Sequence, residues 1–318
     1  MWPQHISTRK RRVFVVGSLN ADHRVRVAGI PKPGETIVGS GVRVAAGGKG
    51  ANQAVAAARA GAPTRIVGLL GEDADGEVIR RALAVEFVDT SHLHIVTSAP
   101  TGRAMITVDD TGENTIVVSP GANSELTPDA VAAGLDGIGP GDHLLLQLET
   151  PMSLVLYAAR TAHDAGATVV VNAAPVPDTV HDLFTLTDLL VINEHELARI
   201  AELLECDGIR DLEHDISEVA RASGATVICT AGNAGAYVWI GDHAAHFEAP
   251  VVSAVDTTAA GDTFIGYLAA ALAADPDNLS GAVEHAVRAA SITVTRPGAI
   301  DSVPLLSEIS AAALRNHP

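Results

Sequence analysis

Apolar residues recur along this chain in short runs, each closed by a glycine or a polar residue and followed by a stretch of helical spacing. Runs at 13–17, 65–71, 144–148, 168–171, 189–192 and 226–229 have the length and the Val, Ile and Leu content of buried strands. Strands alternating with helices predict a parallel sheet with helices on both faces. Two stretches break the rhythm. Residues 23–45 alternate, with Val25 and Val27 between arginines, a Pro31-Lys32-Pro33-Gly34 turn, and then Ile37, Val38, Val42 and Val44. Residues 101–119 alternate about Gly112, as Ala104, Ile106 and Val108 and then Ile116 and Val118. Both read as pairs of short strands, a β insertion in a single α/β domain spanning 1–318. No helix in the pattern obviously covers the Val25/Val27 and Ala104/Ile106/Val108 faces, so these strands are expected to pair two chains.

Polar residues collect just past the strand ends: Asn20, Asp22, Glu149, Asn172, Asn193, Glu196 and Thr230. That edge of an open α/β sheet is where ligands bind. Asn20 and Asp22 are two apart and face one side if the segment is extended. An Asx turn is the alternative reading. Gly47-Gly48-Lys49-Gly50-Ala51-Asn52-Gln53 opens a helical run over 54–60 that Gly61 ends. It is not a Walker A loop, because Arg43 and Gly50 stand where its first Gly and its Ser/Thr should be. Residues 255–264 place Ala259-Ala260-Gly261 at the start of another helix, where free amides and the dipole favour an anion. Asp262 falls in the first turn. It either caps that helix or takes a proton from a nucleophile attacking a phosphate.

Composition narrows the class. Hydrophobic residues make up 47% of 318, enough for a large core, and the net charge of −17 argues against a nucleic-acid surface. No G-x-G-x-x-G follows the first strand, which argues against a dinucleotide fold. Cys206 and Cys229 have neither metal-ligand nor disulfide spacing and suit a reducing cytoplasm. No apolar run is long and uncharged enough for a membrane span. The polar, basic lead, residues 1–11, is expected to be disordered and is not a signal peptide.

Residues 47–56 and 256–264 resemble the N-terminal and C-terminal signatures of the ribokinase-like, or PfkB, sugar kinases. Ser18-Leu19-Asn20-Ala21-Asp22-His23, Pro33-Gly34-Glu35-Thr36, Gly121-Ala122-Asn123 and Gln147-Leu148-Glu149 extend the likeness, which runs over about 13–304. The resemblance implies a ribokinase-like, mostly parallel central sheet flanked by helices, with a small β-sheet lid over about 20–46 and 98–120. It implies a phosphotransferase that uses ATP and Mg2+ on an alcohol, best fitting the 5-hydroxyl of D-ribose. Another PfkB kinase, for deoxyribose, fructose or a nucleoside, and a silent sugar-binding protein are the alternatives. By resemblance Asp262 is the base, and Ala259, Ala260, Gly261 and Asp262 supply the anion hole. Asn20, Asp22, Gly48, Lys49, Asn52 and Glu149 line the sugar pocket. Asn193 and Glu196 act on phosphate and hydrated magnesium, and Thr230, Gly232, Gly235 and Val287 belong to the nucleotide site. Val287 stands where such kinases often carry a His against the purine; His285 would be turned away by helical geometry. Asp256, Thr258, Thr293, Arg296, Gly298 and Ser302 match a K+ site, mostly through backbone carbonyls, and the lid is implied to form a homodimer.

Overall fold

The computed structural model describes residues 10–179, 181–206 and 211–309. The chain opens with strand β1 (Val13–Val16) and passes into the lid with β2 (Asn20–Arg26) and β3 (Ser40–Gly47). Helix α1 (Lys49–Arg59), β4 (Thr64–Gly71), α2 (Ala74–Ala84) and β5 (Val88–Val96) return it to the main body. The second lid hairpin is β6 (Gly102–Val108) and β7 (Asn114–Ser119). A regular series follows: α3 (Pro128–Gly134), β8 (His143–Gln147), α4 (Met152–Asp164), β9 (Thr168–Asn172), α5 (His181–Phe184), β10 (Leu189–Asn193) and α6 (Glu194–Leu203). Then come α7 (Leu212–Ser223), β11 (Thr226–Thr230), β12 (Ala236–Ile240), β13 (His243–Phe247), α8 (Ala260–Ala274) and α9 (Leu279–Thr293).

The large sheet has the order β13-β12-β11-β10-β9-β8-β1-β4-β5 and is parallel except for β12 and β13. The lid is a separate sheet, β3-β2-β6-β7. Alternation along β1 divides the core. Val13 and Val15 face the layer of α1, α8 and α9, while Phe14 and Val16 face that of α3, α4, α6 and α7. Helix α8 is wedged between α1 and α9 and is buried nearly all round, which matches its almost unbroken apolar sequence. The hydroxyl of Tyr267 on α8 is satisfied by donating to the carbonyl of Pro304 at 2.7 Å.

Three strands at or next to the sheet edges escape the sequence pattern. The β5 segment Val-Asp-Thr-Ser-His-Leu-His-Ile-Val lies at the sheet edge with only partial burial, so it is polar where the inner strands are apolar. Strands β12 and β13 form an antiparallel hairpin on the other edge. The lead expected to be disordered lies outside the described residues except for Lys10 and Arg11. Arg11, the last residue of that lead, donates from its guanidinium to the carbonyl of Ala273 at 3.4 Å. Among the described residues no helix is long and apolar enough to cross a membrane.

Candidate active site

The carboxyl ends of β1, β8, β9, β10 and β11 and the N-termini of α1 and α8 converge on one cleft. Helix α1 can enter it because Gly50 has no side chain: a Cβ there would lie 2.7 Å from the Gly17 carbonyl carbon and 2.8 Å from the Ser18 nitrogen. Gly48 is under a double constraint. Its φ is +93°, and a Cβ would meet the backbone nitrogen of Asn20 at 2.6 Å. The glycines of this stretch therefore pack backbone on backbone, which seats Lys49 and Asn52 in the cleft.

Asp262 lies in the first turn of α8 and is only 8% exposed. It accepts from Asn52 Nδ2 at 2.9 Å and from Gln53 Nε2 at 3.0 Å, both on α1. Gln53 is itself fixed, because Gln147 Nε2 on β8 donates to its Oε1 at 2.6 Å. Gln53 and Gln147 were not singled out by the signature reading. Their spacing from Asp262 in sequence gives no signal, and only the packing of α1 between β8 and α8 brings them together. Asp262 caps nothing with its side chain, so the capping alternative fails. Helix α8 starts from Ala259, a non-glycine residue at φ +61°. The amide of Ala260 reaches the Thr257 carbonyl at 3.3 Å, while no backbone acceptor takes the amides of Gly261 or Asp262 among the described residues. A Cβ on Gly261 would meet nothing within 4 Å, so the space beside those amides is open.

That space is shared. A cavity of about 220 Å³ on one side of Ala260 and Gly261 is lined by Lys49, Asn172, Asn193, Glu196, Thr230 and Asp262. A cavity of about 450 Å³ on the other side is lined by Thr230, Gly232, Gly235, Phe264 and Val287 among others. Its apolar walls suit a flat aromatic ring. His285 is not in that wall; it stacks on Tyr267, with ring centroids 6.5 Å apart.

Asn20 and Asp22 lie on β2, which is extended, so the Asx-turn alternative is set aside. Asn123 Nδ2 donates to Asn20 Oδ1 at 2.8 Å, and Asn20 Nδ2 lies 3.4 Å from Glu149 Oε2. Ser18 Oγ donates to the same Glu149 oxygen at 2.5 Å. Burial, then the neighbouring charges of Glu149 and Asp262, push the Asp22 carboxyl up to about 7. Lys49 answers these carboxylates. Burial alone would lower its pKa, but Asp262, Glu149 and Glu196 outweigh it and hold the ammonium above its ordinary value. Asn52 Oδ1 is buried and finds no partner among the described residues, an acceptor free to take a hydroxyl donor.

Asn193 and Glu196 form a reciprocal capping box at α6. Glu196 N donates to Asn193 Oδ1 at 2.9 Å, and Asn193 N donates to Glu196 Oε2 at 2.9 Å. The same pair lines the smaller cavity. Burial raises the Glu196 pKa, against the pull of the Asn193 amide and of Lys49.

The side chains of the residues expected to hold K+ are engaged within the chain. Asp256 Oδ2 accepts from Arg24 Nη1 at 2.6 Å and from the Gly298 amide at 3.1 Å. Its Oδ1 accepts from the amide and hydroxyl of Thr258 at 3.0 and 2.6 Å. The Arg296 side chain pairs with Glu308, Ser302 Oγ donates to the Ala299 carbonyl, and Thr293 Oγ1 lies 3.1 Å from Thr263 Oγ1. The one carboxylate of the set thus already carries a guanidinium, and Gly298 offers it an N–H rather than a carbonyl.

Comparison with known proteins agrees with this geometry. The model of the pfkB family of carbohydrate kinases matches residues 10–306. A ribokinase of Staphylococcus aureus is 37% identical over 300 residues, covering 94% of this chain and 98% of the relative. A ribokinase of Haemophilus influenzae is 39% identical, covering 94% and 97%. The structure of the Arabidopsis thaliana ribokinase complexed with ribose and ATP superposes with a TM-score of 0.82 at 32% identity, covering 95% of this chain and 98% of that one. A carboxylate held beside open helix-terminal amides, between a polar pocket and an apolar cleft, is the arrangement a phosphotransferase with an alcohol acceptor needs, and the chain belongs to the pfkB family of carbohydrate kinases.

Proposed function

We propose that this chain transfers the γ-phosphoryl group of ATP to the 5-hydroxyl of D-ribose, giving ribose 5-phosphate and ADP. The observation that carries this reading is Asp262, fixed by two amides next to the open amides of Gly261 and Asp262 where the two cavities meet. The names and bound ligands of the relatives support ribose and ATP as the pair. Asn20, Asp22, Asn52 and Glu149 receive the sugar hydroxyls, and Gly48 and Lys49 close the pocket from α1. Asp262 accepts the proton of the attacking hydroxyl. Proton removal can come late, because the transition state for phosphoryl transfer is loose. The α8 amides and Lys49 stabilise the charge on the transferring group. Thr230, Gly232, Gly235 and Val287 hold the nucleotide.

Among the described residues no group of three or more His, Cys, Asp or Glu forms a metal cage. Mg2+ usually binds through one or two carboxylates and the substrate's phosphates. Glu196 and Asn193 would hold its hydrated shell, and the ion would neutralise phosphate charge. For K+ the Asp256 carboxylate is already paired with Arg24, and no step is routed through that ion. ATP use and the buried Cys229 thiol fit a cytoplasmic protein.

ADP release from ATP should be measured across D-ribose, deoxyribose, fructose and adenosine. D-ribose is expected to give a kcat/KM about tenfold or more above the others, because its hydroxyls pair with buried acceptors that an analogue leaves unpaired. A preference for fructose or adenosine would overturn the assignment within the family. Tight ribose binding without turnover would point to a silent binder.

The lid supports a homodimer. Val27, Ala104 and Val108 are buried within the chain. The exposed apolar side chains of the lid lie on both faces: Val44, Met105 and Val117 on the outer one, and Ile116 and Val118 on the other, beside Ile106 and Ala104. An uncovered patch of this kind is a site for pairing. Light scattering at micromolar concentration should give a dimer, and the double variant V44K/V117E should give a monomer. A monomeric wild type would remove the lid as an interface.

A further inference from the structure

We propose that Arg24 is the resident cation of the loop that builds the anion hole, carried there by the lid, so that the lid which holds the sugar also sets the catalytic amides. Arg24 and Asp22 are two apart on β2 and share one face of the lid sheet. Asp22 faces the sugar pocket. Arg24 reaches across to the main body, where its Nη1 lies 2.6 Å from Asp256 Oδ2. The two residues are 232 positions apart, and the Asp256 side chain is only 8% exposed.

Asp256 is the organiser of the segment before α8. It accepts from Thr258 N, Thr258 Oγ1 and Gly298 N. Val255 and Asp256 donate their amides to the Val294 carbonyl at 2.7 and 3.2 Å, which anchors the same segment to the end of α9. Three residues on, Ala259 sits in the left-handed region at φ +61°, a conformation that a non-glycine residue keeps only when its surroundings impose it. The amides of Gly261 and Asp262 follow directly. Four donors around one buried carboxylate impose the conformation, and the only full positive charge among them belongs to Arg24. Burying a carboxylate without such a partner is costly.

The guanidinium therefore supplies from within the chain the charge that a small monovalent ion would otherwise have to bring. It does so conditionally, because it rides on a strand of the lid. When β2 swings away, Asp256 loses its counter-charge, and the Thr257–Gly261 segment loses part of what holds it. When sugar draws Asp22 and β2 into place, Arg24 docks and the amides are aligned. This makes Arg24 a positioning residue, with no contact to substrate.

The inference rests on the kinase reading but not on ribose, so kcat is measured with whichever sugar turns over. Wild-type kcat should be equal within about twofold in potassium, sodium and tetramethylammonium at one ionic strength, because the charge is already present. Arg24→Leu should lose about tenfold in kcat in tetramethylammonium, with little change in KM for ATP, and potassium should restore much of the loss. Arg24→Lys, which keeps the charge, should stay near wild type and indifferent to potassium. On ligand-free protein, potassium should raise the Tm of Arg24→Leu and leave that of wild type unmoved, a readout that survives a wrong sugar assignment. Several-fold potassium activation of wild type would overturn the proposal. So would an Arg24→Leu variant with unchanged kcat, or one whose loss and Tm ignore potassium.

Discussion

The Asp262→Asn variant is expected to fold, to bind ATP within about threefold of wild type and sugar more weakly, and to lose at least about 10²-fold in kcat, the low end for removing a general base. Folding is expected to survive for a reason visible around the carboxylate. The variant replaces an acceptor that takes Asn52 Nδ2 and Gln53 Nε2 by an amide that can take only one of them. Gln53 cannot turn without losing Gln147. Asn52 can in the ligand-free protein, where its Oδ1 has no partner, and a turned Asn52 accepts from the new amide at the expense of the sugar hydroxyl it would otherwise receive. The helix α8, its apolar burial and the Gly261 amide are untouched. What disappears is the only group in that first turn able to take a proton. Steady-state kinetics with calorimetric binding of each substrate separates the two effects. Wild-type turnover would remove Asp262 from the mechanism, whereas lost ATP binding would recast it as a structural acceptor.

The parts of this molecule that were legible in the sequence are those whose physics is local. Each inner strand announces itself as an apolar run, because both its faces are buried, and the polar residue closing it marks the ligand edge. The capping box of Asn193 and Glu196 is likewise written in four consecutive residues. Strand β5 was not legible, because an edge strand with a half-wet face has no hydrophobic run to show. The lid was legible as alternating strands, but its outer face was not. Ala104 and Val108 look as free as Met105 and Val117 until the main body covers one side of the sheet. In the site, the signatures give Asp262 and Lys49 but not the Gln147–Gln53–Asp262 chain. Nor do they give Arg24 on Asp256, whose partners meet only once the lid is folded over the sheet edge.

The last expected result concerns Asp22 and pH. Its carboxyl titrates at about 7, raised first by burial and then by the charges of Glu149 and Asp262. A sugar hydroxyl donates best to the ionised form, which is acceptor-only. The kcat/KM for the sugar should therefore climb about tenfold per pH unit below the pKa and level off above it. Asp22→Asn should abolish that step and, even on the alkaline plateau, lose on the order of ten- to a hundredfold in kcat/KM, from hydroxyls left without a charged acceptor. Stability should move the opposite way. A carboxyl whose folded pKa is raised favours the fold most below its ordinary value of 3.8, and that contribution is lost as pH rises through about 7. The ligand-free Asp22→Asn variant, which never has to bury the charge, should therefore gain more Tm over wild type at about pH 8 than at about pH 5.5. The binding carboxylate is thus held at a cost to the unliganded fold, as is common where a site is built for a partner. A flat kcat/KM between about pH 6 and 8, or an equal Tm difference at both pH values, would show that Asp22 is already ionised in the free enzyme.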